Sequence, residues 1–210
     1  MSPPNDQDPE NALTWLGQEW ARALAGVVES MAGERPKTSW QAAGGESLPA
    51  EALIWEQPFD LAAGAVMWAV MPQAAAKELG EHVLASAGVE QAEAEEAAAT
   101  AREILAQAFA GLAQAISARL ERTVNALPGQ AVDQLPEQAV EAGSVTLVFS
   151  EGEIGPLHLA CSQALVEAFQ TPETDDAAPA EDGLRVLASP TLDLLRNVEL
   201  PVSISFGRTR

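Results

Sequence analysis

Few side chains in this sequence have the type and spacing that catalysis or metal binding requires. The single cysteine, Cys161, cannot form an internal disulfide, and His82 and His158 have no second ligand at a metal-binding spacing. The sequence contains no Gly-rich phosphate loop and no Gly-x-Ser-x-Gly nucleophile motif. We therefore expect a buried structural thiol, ordinary histidines, no metal site and no bound cofactor.

The chemistry that the sequence does offer is that of protein contacts. The periodicity of residues 11–31 predicts a helix whose polar face carries Trp15, Gln18 and Arg22. An exposed tryptophan next to an arginine is typical of binding surfaces, so we expect Trp15 and Arg22 to contact a partner. The alternative is that the N-terminal arm or Trp40 covers Trp15.

The composition is strongly acidic and excludes several classes of function. Among 210 residues there are 31 acidic and 11 basic side chains, which give a formal net charge of −20. This charge repels nucleic-acid phosphates and anionic lipids, so we expect no nucleic-acid binding and no membrane insertion. No apolar segment reaches the length of a membrane span, and the first residues lack the features of a signal peptide, which favours a cytoplasmic protein.

Two long amphipathic helices are predicted, and they resemble each other. Apolar residues recur at three- and four-residue intervals on one face of residues 11–31 and again on one face of residues 92–122. Gln107 lies 89 positions after Gln18, and similar residues surround both. The two apolar faces consist of Leu13, Leu16, Trp20, Leu24, Val27 and Met31, and of Leu105, Phe109, Leu112, Ile116 and Leu120.

Each predicted helix is followed by two strand-like segments and a further helix. These later helices begin near Gln73 and Gln163, which are 90 positions apart. A helix–strand–strand–helix unit therefore occurs twice, and we predict an α+β fold with a pseudo-two-fold repeat and an antiparallel sheet packed with helices. The strands are predicted at 52–55, 65–71, 144–149 and 157–161.

The composition also indicates how the chain is divided. Residues 1–10 are polar and Pro-containing, and we expect them to form a flexible N-terminal arm. The repeat covers residues 11–170, with halves at about 11–88 and 92–170. Residues 171–190 are acidic and contain Pro and Ala, as linkers often do.

The segment after the linker carries short motifs of a known family. A Leu-Asp-Leu-Leu run, a Val-Glu-Leu-Pro-Val strand and a Gly-Arg-Thr-Arg end follow one another within residues 192–210. In this order they resemble the opening of the C-terminal (SpoA-type) domain of the flagellar switch proteins FliN and FliY and of related type III secretion ring proteins. We therefore expect residues 191–210 to be the truncated start of such a domain, in the N-terminal part of a longer switch protein. Alternating apolar residues at 198–206 could then pair between chains and give a homo-oligomer.

The repeat itself resembles the fold of CheC, CheX and FliY phosphatases and of the FliM middle domain. In active members, a Glu and an Asn three residues apart on each long helix hold the phosphorylated regulator and orient the attacking water. The Asn positions fall on Gln18 and Gln107 in this chain, and the Glu positions fall on Trp15 and Ile104. The resemblance thus implies a degenerate site, in which a glutamine amide could still position water and Glu103, one turn before Gln107, could replace the missing acid.

The resemblance implies three candidate functions. The first is a protein-interaction scaffold of the flagellar motor switch at the basal body, which links motility to chemotaxis and contacts other switch subunits or a CheY-like response regulator. The second is a divergent phosphatase of such a regulator, with Gln18, Gln107 and Glu103 as catalytic residues and Mg²⁺ entering only with the regulator. The third is a type III secretion ring protein, although the repeat favours the flagellar branch.

Overall fold

Two halves with the same order of helices and strands make up the described part of the chain. The computed structural model describes residues 9–44, 48–89 and 91–170. The first half consists of helix α1 (Pro9–Ala32), strands β1 (Lys37–Ala42), β2 (Ala52–Pro58) and β3 (Val66–Pro72), and helix α2 (Gln73–Ser86). The second half consists of helix α3 (Ala94–Leu120), strands β4 (Gln130–Val132), β5 (Val140–Val148) and β6 (Glu153–Cys161), and helix α4 (Gln163–Gln170).

The strands form one antiparallel sheet in the order β1-β5-β6-β3-β2-β4. Each half contributes its first strand to the other half, because β1 pairs with β5 and β4 pairs with β2. The two third strands, β3 and β6, join the halves at the centre of the sheet. Equivalent strands occur in the same order from either edge, as a two-fold repeat requires. The predicted α+β fold, with an antiparallel sheet packed with helices, is confirmed.

The pseudo-two-fold axis passes through contacts between equivalent residues. In the sheet, Ala69 of β3 pairs with Leu159 of β6, which lies 90 positions later. In the helix layer, the Trp20 ring of α1 lies 5.6 Å from the Phe109 ring of α3, 89 positions later. Both contacts agree with the offset expected from the sequence repeat.

The core lies between the sheet and the helices. Side chains of a strand alternate between its faces, so Met67, Ala69 and Met71 of β3 share one face, and all three belong to the buried core cluster. Helices α1, α2 and α3 contact one another as well as the sheet, which places them in one layer over this face. The helix side of the core is built mainly from Leu16, Trp20, Leu24, Leu105, Phe109, Leu112 and Ile116.

Local sequence signals determine where the second-half helices begin. Helix α3 starts with a reciprocal capping box between Glu93 and Glu96, and Glu95 and Glu96 place negative charge at the positive end of the helix dipole. Before α4, the Ser162 hydroxyl accepts a hydrogen bond from the Leu165 N–H at 3.2 Å.

The structure adds two edge strands to the four that the sequence predicts. Strand β1 has one large apolar residue, Trp40, and strand β4 is only three residues long, so neither shows an alternating pattern. On α1, the buried face is rotated slightly from the predicted one: Ala12 and Val28 are fully buried, whereas Leu13 and Val27 are half-buried. Edge strands and alanines give weak sequence signals, and this explains both differences.

Several predictions concern residues that the structure does not describe. Residues 1–8 of the predicted arm, the linker at 171–190 and the SpoA-type segment at 191–210, including the strand at 198–206, all lie outside the described ranges. Within those ranges, no helix combines the length and apolar character needed to cross a membrane.

Candidate functional site

Gln18 and Gln107 occupy equivalent exposed positions on the two long helices. Each lies two residues before a member of the ring pair on the two-fold axis, since Trp20 follows Gln18 and Phe109 follows Gln107. Each therefore belongs to its own half of the repeat. The surroundings of the two amides differ.

In the first half, Gln18 lies on the wall of an open groove between α1 and β1. The groove has a volume of about 800 Å³. Three of the chain's eleven lysines and arginines line it, in a protein whose net charge is −20. Its lining consists of Gln18, Ala21, Arg22 and Ala25 of α1, Arg35 and Pro36 of the following loop, and Lys37, Thr38, Ser39 and Trp40 at the start of β1.

Trp40 fixes the geometry of this groove by attaching the edge strand to the helix. Its indole ring fits against Gly17 of α1 and Gly143 of β5, and a Cβ atom at either glycine would overlap the ring. Gly143 has a φ of +152°, a backbone conformation that L side chains rarely adopt. Gly17 immediately precedes Gln18, so the same packing contact positions the groove wall.

The cations of the groove are held in exposed ion pairs or have no partner. Arg22 donates to both carboxylate oxygens of Glu19 at 2.6 Å, and Arg35 donates to Glu29 at 2.6 Å. The Arg22 and Arg35 side chains are 66% and 50% exposed, so these pairs contribute little to stability. Lys37 has no ion-pair partner among residues 9–44, 48–89 and 91–170.

Two hydrogen-bonded ties close the loops that follow the long helices. After α1, Glu34 accepts a hydrogen bond from the Ser150 N–H at 2.8 Å, and this bond lowers the pKa of the Glu34 carboxyl. After α3, Asn125 donates from its backbone and its side chain to Asp60, at 2.6 and 2.7 Å, and these bonds lower the pKa of the Asp60 carboxyl. Ser150 lies 90 positions after Asp60, and Asn125 lies 91 positions after Glu34. The two pairs therefore join equivalent places of the repeat, but the acid of each pair lies where the other pair has its donor.

The equivalent region of the second half is packed differently. Ala131 of β4 pairs with Trp55 of β2, whereas Trp40 of β1 pairs with Val145 of β5, so the large ring has moved from the edge strand to its neighbour. The buried Gln57 side chain accepts a hydrogen bond from Trp55 at 3.3 Å and donates to the carbonyl oxygens of Pro58 and Leu127. The first-half cation Arg22 corresponds to Gly111, 89 positions later. Arg35 and Lys37 correspond to Ala126 and Pro128, 91 positions later.

Gln107 therefore has an acidic neighbour rather than a cationic one. Its side-chain amide donates to Glu103 at 2.8 Å, one turn earlier on α3. Gln18 has no such bond to any residue in the described part of the chain. The structure thus brings Glu103 and Gln107 together, as the sequence suggested, and leaves Gln18 with Arg22 instead.

The two positions at which the resemblance would place a Glu, Trp15 and Ile104, are wholly or partly buried. Ile104 is fully buried, and Trp15 is half-buried. The Trp15 ring stacks on Phe169 of α4 at 5.2 Å, and the Arg119 guanidinium lies 4.6 Å from its centroid. Phe169 and Arg119 therefore cover Trp15, where the sequence suggested either exposure or a cover from the arm or Trp40. Its role in binding a partner remains a prediction.

The cysteine and the two histidines, Cys161, His158 and His82, lie in the sheet or on the helix layer that packs on it. Burial raises the pKa of the Cys161 thiol to about 12, so it stays protonated and unreactive. The buried His158 lies 3.8 Å from Glu141, and the His82 ring packs against Phe149 at 4.4 Å. No group of three or more His, Cys, Asp or Glu in the described ranges is arranged to hold a metal ion.

Sequence reasoning missed Arg35, Lys37 and Trp40 as groove residues. Their position depends on β1, which has no alternating pattern, and on its pairing with β5 more than a hundred residues later. The one available signal was the close succession of Arg35, Lys37 and Trp40 after a long helix in a chain with few cations.

Comparisons with known proteins identify the fold. No family model and no curated protein matches the sequence. Among solved structures, the chain is similar to FliY of Thermotoga maritima, with a TM-score of 0.59 and 12% identity over 80% of this chain and 96% of that one. It is similar to the FliM middle domain of H. pylori, with a TM-score of 0.56 and 14% identity over 77% and 96%. A chain of the FliM–SpeE complex of H. pylori matches with a TM-score of 0.55 and 12% identity over 83% and 100%.

Proposed function

We propose that this chain is a protein-interaction scaffold of the flagellar motor switch, located at the basal body. The observation that carries the proposal is the fold shared with FliY and the FliM middle domain over about four-fifths of the chain. FliM of H. pylori forms a complex with FliG, so a FliG-type subunit is the first partner to test, followed by a CheY-like response regulator. The SpoA-type motifs at 192–210 support the same assembly.

The geometry of the long helices supports a scaffold over an enzyme. The phosphatase reaction needs an acid and an amide that face the regulator together. Ile104 is buried where the second-half acid would be, Trp15 is packed under Phe169, and neither can present a carboxylate. The groove beside Gln18 supplies cations, which suit contacts with an acidic surface.

Binding to purified switch subunits tests the scaffold directly. The full chain is titrated against FliG, FliM and FliN-type subunits from the same organism by calorimetry. We expect a stable complex with at least one of them. A type III secretion ring subunit is titrated in parallel, and preferred binding to it would replace the flagellar assignment with the secretion one. Binding to none of the four subunits would contradict the scaffold.

The alternative, a divergent phosphatase, is favoured by one observation, the Glu103–Gln107 hydrogen bond on an exposed face. It is tested by phosphate release from a phosphorylated CheY-like regulator, with Mg²⁺ supplied for the regulator. We expect no acceleration by the wild-type chain. Acceleration that Gln107→Ala and Glu103→Ala abolish, and that Gln114→Ala on the same helix leaves unchanged, would show that the second half is catalytic.

A further inference from the structure

The cationic groove between α1 and β1 has the shape of a peptide-binding site. We propose that it binds an acidic, extended segment of a partner protein, which adds as a strand to the free edge of β1. The proposal rests on the scaffold role and specifies the chemistry of the partner.

The sheet supplies the first part of the site. Strand β1 is the outermost strand of the described sheet and pairs on one side with β5. Five of its six residues are exposed, so its backbone groups are accessible to an incoming chain. An extended peptide commonly binds such an edge through main-chain hydrogen bonds.

The helix supplies the second part. Because Trp40 attaches β1 to Gly17, helix α1 forms a fixed wall alongside the strand rather than a loosely packed neighbour. Gln18 and Arg22 lie on this wall, one turn apart. A peptide paired with β1 would therefore direct alternate side chains toward an amide and a guanidinium.

The charges determine which peptide fits. The groove gathers Arg22, Arg35 and Lys37 in a chain of net charge −20, and Lys37 has no ion-pair partner in the described ranges, so this groove favours a ligand that carries carboxylates. The Arg22 and Arg35 ion pairs are exposed, so ligand carboxylates can share these guanidinium groups without disrupting the fold. A second copy of this chain is a poor occupant, because two bodies of this net charge repel each other.

The second half provides an internal comparison. Its edge strand, β4, has three residues, and the positions equivalent to the three cations carry no charge. Trp55 and Gln57 of the neighbouring strand pack against Gly129, just before β4. Within the described ranges, we therefore expect one binding site of this kind, on the first half.

The experiment measures binding of a labelled peptide of about eight residues that alternates Glu with Val, by fluorescence anisotropy with the full chain. A peptide with Gln in place of Glu is the control ligand. We expect the Glu peptide to bind, the Gln peptide to bind at least about tenfold more weakly, and N-methylation of alternate amides to reduce binding by a similar factor. Failure of the Glu peptide to bind up to about 1 mM would overturn the proposal. Unchanged affinity of the N-methylated peptide would overturn its strand-pairing part.

Two double variants separate the groove from net charge. Arg22→Glu with Lys37→Glu removes groove cations, and Lys77→Glu with Arg102→Glu makes the same change in net charge on α2 and α3. We expect about a tenfold or greater loss of affinity in the first and less than about a twofold change in the second. Equal losses would mean that only net charge matters and would contradict a groove site.

The outcomes also distinguish this proposal from the scaffold role. Binding of a switch subunit that survives Arg22→Glu with Lys37→Glu would preserve the scaffold and reject the groove as its docking site. Peptide binding without binding of any switch subunit would preserve the groove and reject the flagellar assignment.

Discussion

The two halves of this molecule share one plan and differ at the equivalent place on each. Beside α1, an edge strand of six residues, a packed tryptophan and three cations leave an open groove. Beside α3, the edge strand has three residues, and Trp55 and the hydrogen-bonded Gln57 pack against Gly129 just before it. The two halves thus share their strand order and core plan but differ in the surface beside the long helix.

The largest expected effect comes from removing the ring that holds the open side in place. Trp40→Ala should lower the free energy of unfolding by about 3 kcal/mol, because the cavity between Gly17 and Gly143 has no other side chain to fill it. Urea denaturation followed by circular dichroism measures this loss. The groove should lose its ligand in the same variant, and a stable variant with unchanged peptide binding would show that Trp40 does not position β1.

The next effect tests the same contact from the helix side. Gly17→Val should cost about 1–3 kcal/mol, because its side chain overlaps the Trp40 ring. The matched variant Ala106→Val, at the equivalent and only partly buried position of α3, should cost only about 0.7 kcal/mol or less, the size of a helix-propensity difference. Equal losses in the two variants would mean that the halves pack alike.

A third variant examines the buried Gln57 of β2, which pairs with the edge strand of the second half. Gln57→Leu should cost about 1–3 kcal/mol, because the carbonyl oxygens of Pro58 and Leu127 lose a buried donor. Chemical denaturation at neutral pH measures it, with the exposed Gln41→Leu on β1 as the control. A neutral effect would show that water replaces the amide as the donor to these carbonyl oxygens.

The two loop ties give a smaller, pH-dependent effect. The pKa values of Glu34 and Asp60 are lowered in the folded state by their hydrogen bonds, so each tie stabilises the fold at pH values above the ordinary carboxyl pKa. This stabilisation is lost as the pH falls through the lowered folded value. Glu34→Gln and Asp60→Asn should therefore reduce stability at pH 7, and the loss should become smaller as the pH falls below the ordinary carboxyl pKa, as thermal melting at neutral and at acidic pH measures. An equal loss at both pH values would show that the packing of these side chains, and not the charge of their carboxylates, stabilises the loops.

The smallest effect concerns the polar pair on α3. Glu103→Ala removes an exposed i,i+4 hydrogen bond and should cost about 0.2–0.5 kcal/mol. Urea denaturation can resolve this against Gln114→Ala, another exposed residue of the same helix. A loss above about 1 kcal/mol would indicate a structural role for the pair that its exposure does not suggest.

The parts of the fold with strong apolar periodicity were predictable. The long helices bury one apolar face and so repeat with the helical period, whereas the central strands β3 and β6 are short, largely apolar segments buried on both faces. The repeat offset was visible for the same reason, and the structure shows that the Trp20–Phe109 and Ala69–Leu159 pairs on the axis are separated by that offset.

The candidate site was less predictable because it depends on edge strands and distant pairs. Gln18, Arg22, Gln107 and Glu103 could be placed on helix faces from periodicity alone. To predict the groove, one would have to know that β1 forms and that it pairs with β5 of the other half. Likewise, the cover over Trp15 comes from α4, about 150 residues away in sequence, and no local pattern indicates it.

The exchange of first strands between the halves has a consequence for how the chain folds. Lys37 pairs with Val148, 111 positions later, so the sheet cannot close until almost the whole repeat has left the ribosome. Such distant pairing predicts slow folding with a high contact order. It also predicts that fragments cut near Gly88 are each incomplete alone and regain structure only when mixed, as two pieces of one sheet.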